Sequence, residues 1–247
     1  MKAMVLAAGL GTRLRPLTND RPKALVEIAG RTLLEITLER LKAFGVSEVI
    51  VNTHPFAEMI PAYLAKHANF GMRIEISHEE ELLDTGGGLK KAAWFFFEKP
   101  EQPFLLHNVD VVSTIDLGRM VQFHKDEGPL ATMAVQQRKT SRPLLFDRQG
   151  LLRGRGPVQG SEPASGSSPQ GRGVGSEFLQ EEAFSGIHVL SPAIFANLEE
   201  TGAFSIIDAY LRLAARGEKI VAFHADSYRW RDLGRPEQLL AAEREIA

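Results

Sequence analysis

Hydrophobic positions along the chain follow two alternating rhythms. Short runs of β-branched and aliphatic residues predict buried strands, and apolar positions three and four residues apart predict amphipathic helices. Strands are predicted at 2–8, 24–28, 48–52, 73–77, 104–108, 131–137, 144–147, 184–190 and 220–224. Helices are predicted at 33–44, with Thr32 as the N-cap and Glu35 at the capping-box position, and at 56–66, 117–127 and 206–216. Further helices are predicted after the glycine triplet 86–88, after Pro192 and from Pro236 to the C-terminus. This alternation predicts an α/β fold with three layers, in which helices cover both faces of a mixed, mostly parallel sheet.

One segment departs from this pattern. Residues 150–176 are rich in glycine, serine and proline and cannot bury a core. We expect a flexible surface excursion within one domain that spans residues 1–247, because a further buried strand follows it. Its arginines could touch an anionic substrate, but solvation is the simpler interpretation.

The first predicted strand runs into a loop of glycines and fixed cations, Ala7-Ala8-Gly9-Leu10-Gly11-Thr12-Arg13. Gly9 and Gly11 have no β-carbon, so their backbone N–H groups can approach a ligand closely. Such N–H groups suit a polyphosphate, and Arg13 and Lys23 add positive charge. The loop matches neither a Walker A loop nor the dinucleotide fingerprint. The alternative is a plain glycine turn with solvated basic residues.

Three later segments also carry candidate chemistry. Thr85 precedes the glycine triplet 86–88, which could offer a flat surface to a base or could be a loose linker. Asp110 follows a strand, where a carboxylate could hold a metal on a phosphate or simply cap a turn. Gly186 interrupts a strand, which often marks the close approach of a ligand or another backbone.

Composition narrows the class of protein. The chain has 247 residues, 44% hydrophobic and 24% charged, with a formal net charge of −2 and no cysteine. This charge gives no general attraction to nucleic acid or to a membrane surface, and thiolate metal sites and disulfides are excluded. No signal peptide or membrane span is expected, and a cytoplasmic location is compatible with the absence of cysteine.

Five segments together resemble the sugar-1-phosphate nucleotidylyltransferases, also called nucleotide-sugar pyrophosphorylases. They are Leu-Ala-Ala-Gly-x-Gly-Thr-Arg-Leu-x-Pro-Leu-Thr…Pro-Lys, Leu-x-Thr-Gly-Gly-Gly, Asp110, Phe-Ser-Gly-Ile and Trp-x-Asp-x-Gly-x-Pro-Glu, and they occur in the order that the family has. The resemblance implies a Rossmann-like nucleotidyltransferase fold. It also implies transfer of a nucleotidyl group from a nucleoside triphosphate to a sugar 1-phosphate, with release of pyrophosphate.

The resemblance also implies a role for each matched residue. Arg13 and Lys23 would be catalytic, and Mg²⁺ would bind Asp110 and Asp232. The nucleotide would contact Ala7, Ala8, Gly9, Gly11, Thr12, Arg13, Lys23, Thr85, Gly86 and Gly87. The sugar phosphate would contact Asn108, Ser185 and Gly186. Val109 stands where the family usually has glycine, which puts the fine geometry near Asp110 in question.

Within the family, the chain length, the Thr-Gly-Gly-Gly segment and the absence of a C-terminal acyltransferase or β-helix domain resemble the short uridylyltransferases. These act on N-acetylmuramic acid 1-phosphate, so UTP and that sugar phosphate are the expected substrates. The alternatives are a mannose-1-phosphate guanylyltransferase or another hexose-1-phosphate nucleotidylyltransferase, and a catalytically silent subunit that senses nucleotide sugars. Neither a nucleic acid nor a membrane partner is expected. The oligomeric state stays open, with a monomer among the options.

Overall fold

The computed structural model describes residues 1–56, 58–156 and 179–246. The strands are β1 (Lys2–Leu6), β2 (Glu27–Ile28), β3 (Arg31–Thr32), β4 (Glu48–Thr53), β5 (Arg73–His78), β6 (Phe104–Asn108), β7 (Val111–Ser113), β8 (Ala131–Gln136), β9 (Leu144–Phe146), β10 (Leu152–Arg155), β11 (Gln180–Leu190), β12 (Ile220–His224) and β13 (Trp230–Asp232). The α-helices are α1 (Leu33–Ala43), α2 (Met59–Lys66), α3 (Asp84–Lys91), α4 (Leu117–Glu127), α5 (Ile194–Asn197), α6 (Ile206–Ala215) and α7 (Pro236–Ile246). No helix of the described residues is long and apolar enough to cross a membrane.

The main sheet has nine strands in the described residues. β5, β4, β1 and β6 lie side by side and parallel. β11 runs antiparallel to β6 and to β8, and β8 pairs with β12 in parallel. The N-terminal part of β11 pairs antiparallel with β9, and β9 pairs antiparallel with β10 at the edge of the sheet. The mixed, mostly parallel sheet predicted from the pattern is therefore confirmed.

Side chains alternate between the two faces of this sheet, so each face has its own core. Ala3 and Val5 of β1 lie in the core that α1, α2, α4 and α7 cover. Met4, between them, lies in the opposite core, under α3, α5 and α6. The sheet is buried on both sides because these parallel strands are apolar at successive positions.

Helix α1 begins where the sequence predicts. The Oγ1 of Thr32 accepts a hydrogen bond from the N–H of Glu35 at 3.0 Å, so Thr32 is the N-cap. The Glu35 carboxylate does not close the predicted capping box. It accepts hydrogen bonds from Arg31 Nε and from the Tyr63 hydroxyl, both at 2.9 Å.

Two predicted elements are wrong in their bounds. Residues 24–28 were expected to form a strand, but a 3₁₀ turn over Lys23–Leu25 precedes the two-residue β2. Helix α2 begins at Met59 rather than at Phe56, whose φ of 55° is left-handed. In both places local backbone geometry overrides the apolar content of the segment.

The glycine- and serine-rich excursion begins later than residue 150. Leu152–Arg155 form β10, which pairs with β9, and the Leu152 side chain is buried in the core. The prediction missed this strand because its only apolar signal is the pair Leu151 and Leu152, which Gly154 and Gly156 follow closely. The remainder of the predicted excursion, from residue 157 onward, lies outside the described residues.

The glycine triplet lies inside α3. The sequence pattern had instead predicted a helix that begins after the triplet. All three glycines are buried, and a β-carbon on any of them would come within 3.0 Å of a neighbouring group. These neighbours are Phe204 for the first glycine, the carbonyl oxygen of Gly202 for the second and the carboxylate of Glu79 for the third. The triplet thus has a packing reason, since it lets α3 lie directly against two other segments.

We expect Gly87→Ala to destabilise the fold. The added methyl group would press on the backbone carbonyl of Gly202, which cannot rotate away as a side chain can. Such overpacking costs about 1–3 kcal/mol, of which the better helix propensity of alanine returns up to about 1 kcal/mol. Urea unfolding measures this loss. Gly154→Ala is the control, because its β-carbon would be 3.7 Å from Leu145 and should leave stability unchanged.

Candidate active site

The candidate site lies at the carboxyl ends of β1, β4 and β6, where ligands bind in sheets of this kind. A cavity of about 210 Å³ opens there, next to the beginning of α3. Its lining includes the predicted site residues Ala7, Ala8, Gly9, Lys23, Thr85, Asn108 and Asp110. Residues from four separate parts of the sequence thus surround one space.

A buried polar network holds the start of the glycine loop. The N–H of Ala7 donates to Asn52 Oδ1 at 2.7 Å, and Asn52 Nδ2 donates to Glu79 Oε1 at 2.7 Å. The other carboxylate oxygen of Glu79 accepts from the N–H of Leu83 at 2.9 Å, just before α3. Glu79 is fully buried, so these bonds replace its hydration. The network ties the loop to α3, and the third glycine of the triplet gives it room.

The backbone of the glycine loop is held at Gly11. Its carbonyl oxygen accepts from Thr18 Oγ1 at 2.9 Å and from the N–H of Leu14 at 2.8 Å. Gly9 is exposed, and in the described residues no protein acceptor binds the N–H of Gly9 or of Gly11. These donors remain available for an anion, whereas the N–H of Ala7 is already used.

The two candidate metal-binding aspartates meet through a small antiparallel ribbon. β7 pairs with β13 so that Asp232 lies opposite Val111, next to Asp110 in the chain. The N–H of Leu233 donates to the carbonyl oxygen of Asp110 at 2.8 Å, which joins the two segments directly. Asp232 Oδ1 in turn accepts from the N–H of Gly234 at 2.7 Å, so its orientation is fixed.

Both candidate catalytic cations lie beside these carboxylates. Lys23 Nζ forms a salt bridge with Asp110, and both side chains are largely buried, at 12% and 15% exposure. Arg13 lies near Asp232 on the other side. A β-carbon placed on Gly234 would be 2.7 Å from Asp232 Oδ1 and 2.9 Å from Arg13 Nη2, so both groups border the same small space. The site therefore combines two cations with two carboxylates.

The predicted sugar-phosphate residues also come together. Gly186 has a φ of 73°, and a β-carbon on it would lie 2.7 Å from Val111 and 3.0 Å from Asn108 Nδ2. This position requires glycine for both reasons. The Ser185 side chain is fully buried, and its hydroxyl has no hydrogen-bond partner in the part of the chain that the structure describes. Contact between Ser185 and a ligand remains a prediction.

Val109 fits the structure without distortion. Its side chain is buried in the core, and its N–H donates to the carbonyl oxygen of Leu6 at 3.2 Å. It is not among the residues with positive φ, so glycine is not needed there. Valine at position 109 therefore requires no unusual backbone conformation.

His107 is a buried residue of the sheet. Burial, together with the positive charge of Arg40, lowers the pKa of His107 to about 4. Its imidazole is fully buried, and Nδ1 lies 2.8 Å from the carbonyl oxygen of Asn108. The ring is therefore neutral and acts as part of the core.

Sequence reasoning missed two groups at the site. Asn52 and Glu79 form the network behind the loop, and the only signal for them was the position of Asn52 near the carboxyl end of a predicted strand. Arg138 and Trp230 stack on each other beside β11. Trp230 was noted as part of a motif, but no pattern links it to Arg138.

Comparison with known proteins identifies the family. Residues 2–146 match the profile of the family described as nucleotidyl transferase. The chain belongs to this family. It is 36% identical to the N-acetylmuramate alpha-1-phosphate uridylyltransferase of Caulobacter vibrioides, over 99% of this chain and 96% of that protein. It is 31% identical to the probable mannose-1-phosphate guanylyltransferase 2 of Arabidopsis thaliana, over 99% of this chain and 64% of that protein.

Solved structures of the same fold cover almost the whole enzyme. HddC from Yersinia pseudotuberculosis in complex with GMP-PN superposes with a TM-score of 0.75 at 23% identity, covering 100% of this chain and 99% of that one. A UDP-glucose pyrophosphorylase complexed with UDP-glucose gives 0.77 at 18% identity, covering 99% and 97%. The predicted nucleotidyltransferase fold and the prediction of a transferase enzyme are both confirmed.

Proposed function

We propose that the enzyme transfers a uridylyl group from UTP to N-acetylmuramic acid 1-phosphate, giving a nucleotide sugar and pyrophosphate. The observation that carries the proposal is the meeting of Lys23, Asp110 and Asp232 beside the glycine loop. This set of charges suits a polyphosphate at the carboxyl edge of a parallel sheet. A cytoplasmic location goes with the proposal and is compatible with the absence of cysteine.

The chemistry needs charge and positioning more than a proton acceptor. The oxygen of a sugar 1-phosphate is already an anionic nucleophile, so no general base is required, in agreement with the neutral, buried His107. The barrier lies in bringing two anions together and in stabilising the charge on the departing pyrophosphate. Arg13 and the free N–H groups of the loop would hold the leaving phosphates. Lys23 would stabilise charge near the α-phosphate.

Asp110 and Asp232 fit a magnesium ion. Mg²⁺ prefers oxygen ligands and is usually held by one or two carboxylates together with substrate phosphates and water. The described residues contain no group of three or more metal-ligating side chains. A magnesium site that is shared with substrate phosphates needs only one or two carboxylates, and Asp110 and Asp232 lie in adjacent segments. When bound, the ion would neutralise and orient the phosphates. Lys23 would then share Asp110 with it.

The choice of substrates is supported by the relative from Caulobacter vibrioides, which matches over nearly its whole length. The relative from Arabidopsis thaliana supports the alternative, mannose 1-phosphate with GTP. A silent sensor of nucleotide sugars is a third option. It is less favoured because a sensor has no need of the four charged groups that this chain combines at one site.

A substrate panel tests the proposal. Each nucleoside triphosphate is combined with each sugar 1-phosphate in the presence of Mg²⁺, and pyrophosphate release is measured. We expect kcat/KM for UTP with N-acetylmuramic acid 1-phosphate to exceed that of any other pair by roughly tenfold or more, within the range that pocket contacts supply. Preference for GTP with mannose 1-phosphate would select the alternative enzyme. Tight binding of a nucleotide sugar with no pyrophosphate release from any pair would select the sensor.

A further inference from the structure

Arg138 lies in an unusual environment next to the predicted sugar-phosphate residues. Its guanidinium stacks on the ring of Trp230, with 3.7 Å from Cζ to the ring centroid. Trp230 is fixed because its Nε1 donates to the carbonyl oxygen of Ser185 at 2.7 Å. Trp230 belongs to the same short strand as Asp232. The stack therefore connects the β11 segment with the candidate metal site.

Part of this arrangement is structural. The pairing of β11 with β8 is irregular between Phe184 and His188, so some carbonyl groups there lose their ladder partners. Arg138 Nη2 donates to the carbonyl oxygen of Phe184 at 2.6 Å, and Trp230 Nε1 donates to the carbonyl oxygen of the next residue, Ser185. That hydrogen bond requires a donor at position 138 but not a charged one. The irregularity thus explains a donor at position 138 but not a positive charge.

The positive charge of Arg138 has a distant partner, Asp232, but no direct one among the described residues. Within residues 1–56, 58–156 and 179–246, no ion pair between Arg138 and a carboxylate is found within 4.0 Å. Its Nε is buried and, among the described residues, has no hydrogen-bond partner. Burial lowers the pKa of the Arg138 guanidinium, and the negative charge of Asp232 acts in the opposite direction. Arg138 is half-buried, and a partly desolvated guanidinium with a buried, unpaired N–H group is stabilised when an anion binds it.

We propose that Arg138 binds an anionic group of the sugar 1-phosphate and thereby sets the affinity for this substrate. The inference rests on the proposed function and adds a residue to it. The planar fork of a guanidinium fits the paired oxygens of a phosphate or a carboxylate, and its stacking on Trp230 holds that fork in place before the substrate arrives. The anion is either the phosphate at C1 or an acidic substituent of the sugar. Both offer the same chemistry to Arg138.

Three variants test the proposal in the full-length enzyme. Arg138→Gln keeps a polar side chain and removes the charge, and Arg138→Lys keeps the charge but loses the fork. We expect Arg138→Gln to raise KM for the sugar 1-phosphate by roughly tenfold to hundredfold, the range for losing a hydrogen bond to a charged group, with KM for the triphosphate within about twofold. Arg138→Lys should recover part of this loss. Arg216→Met, which removes an exposed ion pair with Glu199, should change neither constant.

Two substrates identify the anion. The Arg138→Gln variant is compared with N-acetylmuramic acid 1-phosphate, which carries a carboxylate, and with N-acetylglucosamine 1-phosphate, which does not. An equal rise in KM for both indicates contact with the phosphate, and a rise confined to the acidic sugar indicates contact with the carboxylate. An unchanged KM for both, or an equal rise in KM for the triphosphate, would overturn the inference. Absence of pyrophosphate release by the unmodified enzyme would instead refute the proposed function.

Discussion

Asp110→Asn is expected to lower the rate of pyrophosphate release by roughly 10²-fold or more, a loss of a few kcal/mol of transition-state stabilisation. Asparagine preserves the shape of the side chain and removes its charge, so the proposed Mg²⁺ site loses one of its two carboxylates. Asp232→Asn should have a comparable effect. Initial rates measured over a Mg²⁺ titration, with an EDTA blank, give the result.

Using both aspartates separates loss of metal from loss of the salt bridge. Asp110→Asn also deprives Lys23 of its partner, whereas Asp232→Asn leaves that pair intact. Asparagine at 232 can still accept the hydrogen bond from the N–H of Gly234. Asp208→Asn serves as the control, because it removes an exposed carboxylate that pairs with Arg155 at the surface. Full activity in EDTA, or in either aspartate variant, would show that no metal is held there.

Lys23→Ala is expected to lower kcat by roughly 10²- to 10³-fold while changing the binding of the triphosphate much less. The ammonium group of Lys23 lies at Asp110, beside the space where charge would develop during transfer. Arg13→Ala should weaken triphosphate binding as well as turnover, because Arg13 would hold the phosphate tail in both the ground state and the transition state. Steady-state kinetics together with calorimetric titration of the triphosphate distinguish the two patterns.

Arg15→Ala provides the matched control for the loop. Arg15 is exposed and lies two residues from Arg13, so its removal changes the local charge by the same amount. It should leave kcat nearly unchanged. If Lys23→Ala weakened binding as strongly as it lowered kcat, Lys23 would be a ground-state contact and its catalytic role would have to be given up. If the unmodified protein showed no turnover, the catalytically silent sensor would be the favoured function instead.

The sequence alone was sufficient to place the candidate site at one edge of the sheet. Apolar runs alternating with amphipathic segments predicted a mostly parallel sheet, and in such a sheet the carboxyl ends of the parallel strands share one edge. The glycine loop after β1 and Asp110 after β6 were therefore expected at the same edge, and they lie close together because β6 pairs with β1. Local signals of this kind also placed the N-cap of α1 at Thr32 and the start of α7 at Pro236.

The tertiary structure decided what depends on contacts between distant segments. Asp232 reaches Asp110 because β13 pairs with β7, and the close packing of α3 on Gly202, Phe204 and Glu79 gives the glycine triplet a structural reason. The Arg138–Trp230 stack likewise follows from an irregularity in β11 that no periodicity reveals. A pattern within a segment records which face is buried, because burial repeats with the period of the strand or helix. It does not record which partner does the burying, since that choice depends on how the whole chain packs.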